Sequence, residues 1–108
     1  MLENPELELR AAFQIALLGM ITPEIRAISF EFISSSAQLK FRVHFSKEPH
    51  EISRENMSCV LTEIDAGLPF RINDYKEEYI VTPPPEKPNN LSKLVYSRCE
   101  SPDFLPPA

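Results

Sequence analysis

Few side chains in this sequence are of types that commonly do chemistry, and the two histidines are the first to consider. His44 and His50 lie close together in the chain, with Glu48 and Glu51 beside them. Imidazole and carboxylate groups grouped in this way could hold a metal ion or form an acid–base pair. The alternative is two solvated histidines beside the acidic start of a helix, an arrangement that the helix dipole favours. We expect this alternative, and therefore no metal site.

The cysteines and serines are the remaining candidate nucleophiles. Cys59 and Cys99 form no CxxC pair, and Cys59 falls in the middle of a predicted helix beside its apolar side. We expect each cysteine to be buried and reduced, acting as a small apolar side chain. The three serines at 34–36 are typical of a turn, because no GxSxG or SxxK motif accompanies them. The sequence therefore predicts no catalytic nucleophile.

Glycine is too scarce for a phosphate-binding loop. The chain has 2 glycines, Gly19 and Gly67, and each follows a predicted helix, where glycine commonly terminates the last turn. None is left for a P-loop or a dinucleotide-binding loop. We therefore expect no cofactor and no enzymatic activity.

Length and charge limit the kinds of partner. A chain of 108 residues corresponds to about one domain, and its net charge of −5 argues against a nucleic-acid binder but suits a basic partner. The longest apolar run, Ile15–Ile21, is far shorter than the roughly 18 residues of a membrane span. Glu3, Glu6 and Glu8 stand where a signal peptide would be basic. We expect a cytoplasmic protein that binds neither membrane nor nucleic acid.

The elements that position these side chains begin with a helix. Asn4 is a good N-cap and Pro5 suits the first helical position, so a helix is predicted from there to about Leu18. Its apolar residues form two adjacent stripes at helical spacing. The first stripe is Leu9, Ala12, Phe13, Ala16 and Leu17, and the second is Leu7, Ala11, Ile15 and Leu18.

Two alternating runs then predict an antiparallel hairpin. Pairing Phe32 with Leu39 brings Phe30 opposite Phe41 and leaves residues 34–37 as a four-residue loop. The same register places Glu31 opposite Lys40 on a face that we expect to be solvated. The other face of the hairpin is predicted to be core.

A second helix and two shorter strands complete the prediction. The helix runs from about Pro49 to Ala66, and its buried side is predicted to carry Ile52, Asn56, Met57, Val60, Leu61 and Ile64. Strands follow at YKEEYIVT and LVYSRC, separated by the proline-rich PPPEKPNN. The predicted fold class is α+β, with two helices packed on one face of an antiparallel sheet in the order helix, hairpin, helix, two strands. Residues 1–100 form the single domain, and 101–108 are a flexible tail.

The acidic residues are the feature that could carry a function. Glu48, Glu51, Glu55 and Asp65 are assigned to the start and the outer side of the second helix, and Asp74, Glu77 and Glu78 to the third strand. They could be a solvated helix face together with a charged edge strand that resists aggregation. They could also form a binding surface for a basic protein.

A family resemblance bears on this choice. The segment LRAAFQIALLGMITPEIRAISFEF, the aromatic strand LKFRVHF, the acidic start of the second helix and the closing LVYSRCE resemble immunity proteins encoded beside polymorphic toxins of the contact-dependent growth inhibition type. The similarity extends to about residue 100. It implies a small α+β cytosolic protein that binds and blocks one cognate toxin domain, often a nuclease. No catalytic motif and no binding residues come with it.

Two functions of different classes follow from the sequence. In the first, the protein is an immunity protein that occludes the active site of a basic nuclease, the C-terminal domain of its cognate toxin, with the seven acidic residues above. In the second, it is a non-catalytic adaptor or structural domain that homodimerises through the second apolar stripe of the first helix. We expect a monomer or a weak homodimer.

Overall fold

The computed structural model describes residues 4–100 and contains two helices and four strands. The elements along the chain are α1 (Pro5–Ala16), β1 (Ile25–Ile33), β2 (Gln38–Phe45), α2 (Glu51–Gly67), β3 (Asp74–Val81) and β4 (Lys93–Ser97). The α+β class is confirmed. The predicted flexible tail, 101–108, lies outside the described residues.

The four strands form one sheet in the order β3-β2-β1-β4. The β1–β2 hairpin has the predicted register, with Phe30 opposite Phe41 and Glu31 opposite Lys40. The prediction of an antiparallel sheet is wrong, because β3 runs parallel to β2. The physical reason is that α2 lies between these two strands and returns the chain to the other end of the sheet before β3 begins. In addition, β3 and β4 lie at opposite edges rather than side by side.

The core lies between the sheet and the helices. The ring of Phe13 from α1 stacks on Phe30 and Phe41, with centroid distances of 5.0 and 5.5 Å. The first stripe of α1 is largely buried, whereas three large residues of the second stripe are exposed. On α2, Met57, Val60, Leu61 and Ile64 are buried, but Ile52 is exposed and its predicted burial is wrong. Ile52 lies one residue into the helix, near its solvated end.

The face of the sheet opposite the helices is covered by the connection between β3 and β4. We call residues 82–92 the back strap, because they cross β2 and β1 to reach the far edge. Ser29 Oγ accepts from the backbone N–H of Leu91 at 2.9 Å, and Arg42 donates to the carbonyl of Asn89 at 2.7 Å. The prediction that this face is solvated is therefore wrong for Ser29 and His44, which are buried.

The N-terminus of α2 is capped by a residue that is distant in sequence. Its N-cap residue, His50, makes no side-chain cap hydrogen bond. Instead the carboxylate of Glu24, just before β1, accepts from the backbone N–H of His50 at 3.4 Å and from Ser53 Oγ at 3.0 Å. This negative charge at the N-terminus of α2 interacts favourably with the helix dipole.

Candidate functional site

The acidic side of α2 faces the edge strand β3. Glu51, Glu55 and Asp65 share one side of the helix with Ser58, because their spacing follows the helical repeat. Ser58 Oγ contacts Glu77 Oε1 of β3 at 3.4 Å, and Asp65 accepts from the hydroxyl of Tyr75 at 2.5 Å. The predicted outer side of α2 is therefore a flank beside β3. It brings the acidic residues of the helix to those of the strand.

A shallow groove runs between α2 and β3. Its volume is about 300 Å³, and it is lined by Ser58, Leu61, Thr62, Asp65, Tyr75 and Glu77. The hydroxyl of Tyr79 donates to Glu77 Oε1 at 2.5 Å, as Tyr75 does to Asp65. Burial, followed by the hydrogen bonds to these carboxylates, raises the pKa of both tyrosines well above its usual range. The tyrosines therefore stay neutral and hold the two carboxylates in fixed orientations.

Four exposed carboxylates on this side of the molecule have no cationic partner. Glu51, Glu55, Asp65 and Glu77 form no salt bridge with any residue in the range 4–100. We call these four residues the acidic flank. Asp65 and Glu77 line the groove, and Glu51 and Glu55 continue the negative charge towards the start of α2. Unneutralised carboxylates along one side of a molecule attract cationic groups of a partner.

The other three predicted acidic residues are placed differently. Glu78 lies on the opposite face of β3 and pairs with Arg42 at 2.8 Å, and the hydrogen bond from Arg42 lowers the pKa of the Glu78 carboxyl. Asp74 accepts from the amide of Gln38 at 3.1 Å. Glu48 pairs with Arg54 at 2.9 Å, close to the start of α2. Only Glu48 therefore lies near the acidic flank.

Tyr75 and Tyr79 are not among the residues that the sequence predicts for this site. Their signal is the alternation in β3, since Tyr75, Glu77 and Tyr79 are two residues apart and share one face of the strand. Arg54 is likewise not among the predicted site residues. Its guanidinium carbon lies 5.9 Å from the centre of the Tyr79 ring, and its partner is Glu48. It is a cation at the border of the acidic flank.

The two histidines do not form a common site. His44 is 2% exposed, and its Nε2 lies 3.0 Å from the carbonyl of Asn89 while its Nδ1 lies 2.8 Å from Thr82 Oγ1. A carbonyl only accepts, so Nε2 carries the proton and Nδ1 accepts from the threonine hydroxyl. The expectation that both histidines are solvated is wrong for His44 and correct for His50, which is exposed. Within residues 4–100, no group of three or more His, Cys, Asp or Glu side chains is arranged to hold a metal ion.

The cysteines are also placed differently from the prediction. Cys59 and Cys99 are both free thiols, and both are exposed. Cys59 lies between the buried Met57 and Val60 in sequence, but the helical repeat turns it away from the sheet. Burial of the cysteines is therefore a wrong prediction.

Comparison with known proteins gives one family. The model of the MafI2 immunity protein family matches residues 6–100, which include every helix and strand except the first residue of α1. A search of the curated proteins finds no match. No helix within residues 4–100 has the length and apolar character needed to cross a membrane.

Proposed function

This chain belongs to the MafI2 immunity protein family, so it is an immunity protein of a polymorphic toxin system, and we propose that it binds its toxin through the acidic flank. The observation that carries the proposal is the set of four carboxylates without cationic partners in the described residues: Asp65 and Glu77 line the groove between α2 and β3, and Glu51 and Glu55 lie nearer the start of α2 on the same side. Glu48 lies at the border of this surface.

The toxin that suits this surface is a basic nuclease. A nuclease binds a polyanion, and its substrate-binding surface is therefore rich in lysine and arginine. The acidic flank presents carboxylates to such a surface, and the groove between α2 and β3 can take a long basic side chain over the apolar floor of Leu61. Bound in this way, the protein covers the active site and excludes the nucleic acid.

The sequence resembles immunity proteins of contact-dependent growth inhibition systems, and we propose that this protein acts in such a system. In that context the partner is the C-terminal domain of a toxin, and neutralisation takes place in the cytoplasm. The protein itself performs no catalysis and needs no cofactor, because stoichiometric occlusion is sufficient for immunity. A structural or adaptor role is the second candidate, favoured by the exposed apolar residues of α1.

The test is charge reversal on the acidic flank. The triple variant Glu51→Lys, Glu55→Lys and Asp65→Lys is co-expressed with the toxin domain encoded beside this gene, and cell survival and complex formation are measured. We expect loss of protection and at least a 100-fold weaker complex, because three attractive contacts become repulsive. Unchanged protection by the folded variant would contradict the proposal.

A matched control separates the local effect from the total charge. Glu8, Glu63 and Glu86 are exposed and lie on α1, on another side of α2 and in the back strap. Their triple change to lysine alters the net charge by the same amount. We expect this control to retain binding within a few-fold. If both triple variants lose toxin binding equally, the total charge of the protein rather than the acidic flank determines the affinity of the complex.

A further inference from the structure

The sheet ends at β3 on one side and at β4 on the other, and these two edges differ. β4 has five residues, its pairing with β1 shifts register between Ile28 and Ser29, and its Leu94 carbonyl accepts from Arg10 at 3.1 Å. Short length, irregular pairing and an occupied carbonyl all hinder the addition of another strand. β3 has eight residues and pairs with β2 along its whole length without a shift. Within residues 4–100, the edge of β3 is therefore the one suited to a further strand.

The hydrogen bonds at the two ends of β3 show which residues of β2 face it. The carbonyl of Ala37 accepts from the N–H of Asn73 at 2.8 Å, and the carbonyl of Phe45 accepts from the N–H of Thr82 at 2.7 Å. Backbone groups point to alternate sides along a strand. The odd-numbered residues of β2 therefore direct their N–H and C=O groups towards β3.

The register then identifies the backbone groups at the outer edge. Phe41 lies opposite Glu77, and in a parallel pair such a residue bonds to the residues before and after its partner, here 76 and 78. The N–H and C=O groups of Tyr75, Glu77 and Tyr79 therefore point away from β2, to a side on which the described chain has no strand. An extended chain on that side can form about six backbone hydrogen bonds with these three residues.

We propose that the toxin adds a strand to the sheet along the outer edge of β3, and that this strand carries lysine or arginine on the side that faces the groove. This proposal rests on the proposed function, because it specifies how the toxin engages the acidic flank. In strand addition, main-chain hydrogen bonds supply affinity and alternate side chains supply specificity.

The groove shows where the basic side chains lie. Tyr75 and Glu77 line it with their side chains, so the residues that present free backbone groups also face the carboxylate of Asp65. The Cβ atom of a residue directly opposite Glu77 on an added strand lies about 5 Å from the Cβ atom of Glu77. A lysine or arginine at that position reaches Glu77 and continues along the groove towards Asp65.

The charges of β3 favour a basic strand over a second copy of this chain. A two-fold axis that pairs most of β3 with its copy passes beside Glu77 or Glu78 and places that glutamate opposite itself. Like charges directly opposite each other destabilise a strand pair. Glu77 has no salt bridge to any residue from 4 to 100, so a lysine or arginine opposite it gains an ion pair that self-pairing lacks. The charges that protect this edge from its own copies therefore select a basic partner.

The first test is the hydrogen exchange of single amides, followed by nuclear magnetic resonance with and without a catalytically inactive toxin domain. In the free protein we expect fast exchange at Tyr75, Glu77 and Tyr79 and protection at residues 76 and 78. In the complex we expect exchange at the three outer amides to slow at least tenfold. Unchanged exchange there in the saturated complex would overturn the proposal. Protection that is already present in the free protein at about 1 mM would also overturn it, because a second copy would then occupy the edge.

The second test compares two changes of the same residue. Glu77→Gln and Glu77→Pro both remove the charge, but only proline also removes the outward N–H. Edge strands tolerate proline where the N–H faces solvent, so we expect both variants to fold. Glu77→Gln should bind the inactive toxin several-fold more weakly than the wild type, and Glu77→Pro at least tenfold more weakly than Glu77→Gln.

Each of these affinities can contradict part of the proposal. Equal affinities of the two folded variants would exclude strand addition, and wild-type affinity of Glu77→Gln would exclude a basic residue opposite Glu77. If Glu77→Pro does not fold, the exchange measurement decides, because it uses the unaltered chain.

The proposed function and the strand addition can fail separately. The triple lysine variant of Glu51, Glu55 and Asp65 leaves the backbone of β3 unchanged and tests attraction by the acidic flank. If that variant binds the toxin as the wild type does, the proposed function fails. If it loses binding while the outer amides of β3 exchange freely in the wild-type complex, strand addition alone fails.

Discussion

At the residue scale, His44 shows how a remote segment changes the role of a side chain. The alternation in β2 predicts that His44 points away from the core, and it does so. The back strap then buries it, with Thr82 and Asn89 as hydrogen-bond partners. Nothing within β2 indicates this cover, because the strap comes from residues about 40 positions later in the chain. The predicted orientation is correct, and the predicted solvation is not.

The structure predicts a marked difference between the two histidines. His44→Ala removes two buried hydrogen bonds and leaves a cavity under the back strap, so we expect a loss of roughly 2–4 kcal/mol in the free energy of unfolding. His50→Ala changes an exposed side chain and should alter stability by less than about 0.5 kcal/mol. Urea unfolding at pH 7.5 measures both. Equal midpoints for the two variants would show that the strap contacts of His44 are unimportant.

His44 also makes stability depend on pH. Burial, followed by the charges of Arg42 and Arg26, lowers the pKa of His44 despite the carbonyl of Asn89 and the carboxylate of Glu78. The unfolded chain therefore binds the proton more readily than the folded one. The stabilisation is complete above a pH of about 6.5 and is lost as the pH falls towards the lower folded-state pKa.

The variant His44→Gln isolates this effect. Its amide can donate to Asn89 and accept from Thr82 without titrating. We expect the wild type to lose stability between about pH 7 and pH 5 relative to His44→Gln, measured by urea midpoints at each pH. If the urea midpoints of the wild type and His44→Gln change with pH in the same way, protonation of His44 is not coupled to unfolding.

At the element scale, the cap of α2 gives a second prediction. Hydrogen bonds from Thr22, Ser53 and the backbone N–H of His50 lower the pKa of Glu24 to about 2. Glu24→Gln retains an accepting oxygen but removes the charge at the helix N-terminus. We expect a loss of roughly 1–2 kcal/mol at pH 7.

The pH dependence of this loss identifies the charge as its cause. Since the folded-state pKa is below the usual value of 4.5, the stabilisation is complete above that value. It disappears as the pH falls through about 2. The stabilities of the wild type and Glu24→Gln should therefore converge across this range in thermal unfolding. A difference that persists at pH 2 would assign the effect to packing or hydrogen bonding.

The sequence predicts the local pairing of β1 with β2 correctly, but it does not predict the long-range position of β3. The β1–β2 register follows from alternation and a short loop, both of which can be read over 20 residues, and it is correct. The position of β3 depends on where α2 returns the chain, and alternation within YKEEYIVT gives no information about that. For the same reason the sequence could group Asp65 with Glu51 on one helix. Alternation within the strand separates Glu78 from Glu77, but the sequence could not show that Glu77 lies beside α2 and that Glu78 pairs with Arg42.

At the scale of the whole molecule, some carboxylates are neutralised by a cationic partner and others are not. The carboxylates of Glu6, Glu48, Glu78 and Glu100 all pair with lysine or arginine. Those of the acidic flank have no such partner in the described part of the chain, so they contribute strongly to the field of a protein with a net charge of −5. Other carboxylates without a salt bridge in the described residues, at Glu8, Glu31, Glu63, Asp74 and Glu86, lie on separate elements. The acidic flank instead combines four of them along α2 and β3, which suits this side to long-range attraction of a basic partner.

The last prediction concerns the rate at which a basic toxin associates. Steering by the acidic flank acts over distances beyond contact, and at roughly 0.15 M ionic strength the screening length is about 8 Å. We therefore expect the association rate constant to fall at least tenfold between about 10 mM and 300 mM NaCl, while the dissociation rate changes little. Stopped-flow mixing with a catalytically inactive toxin domain measures both rates.

Charge-reversal variants show which carboxylates cause this salt dependence. The triple lysine variant of Glu51, Glu55 and Asp65 should associate slowly, with a rate constant that hardly changes with salt. The control variant of Glu8, Glu63 and Glu86 should keep most of the salt dependence of the wild-type association rate. If the two triple variants have the same slope, the attraction comes from the net charge of the molecule and not from the side that α2 and β3 form together.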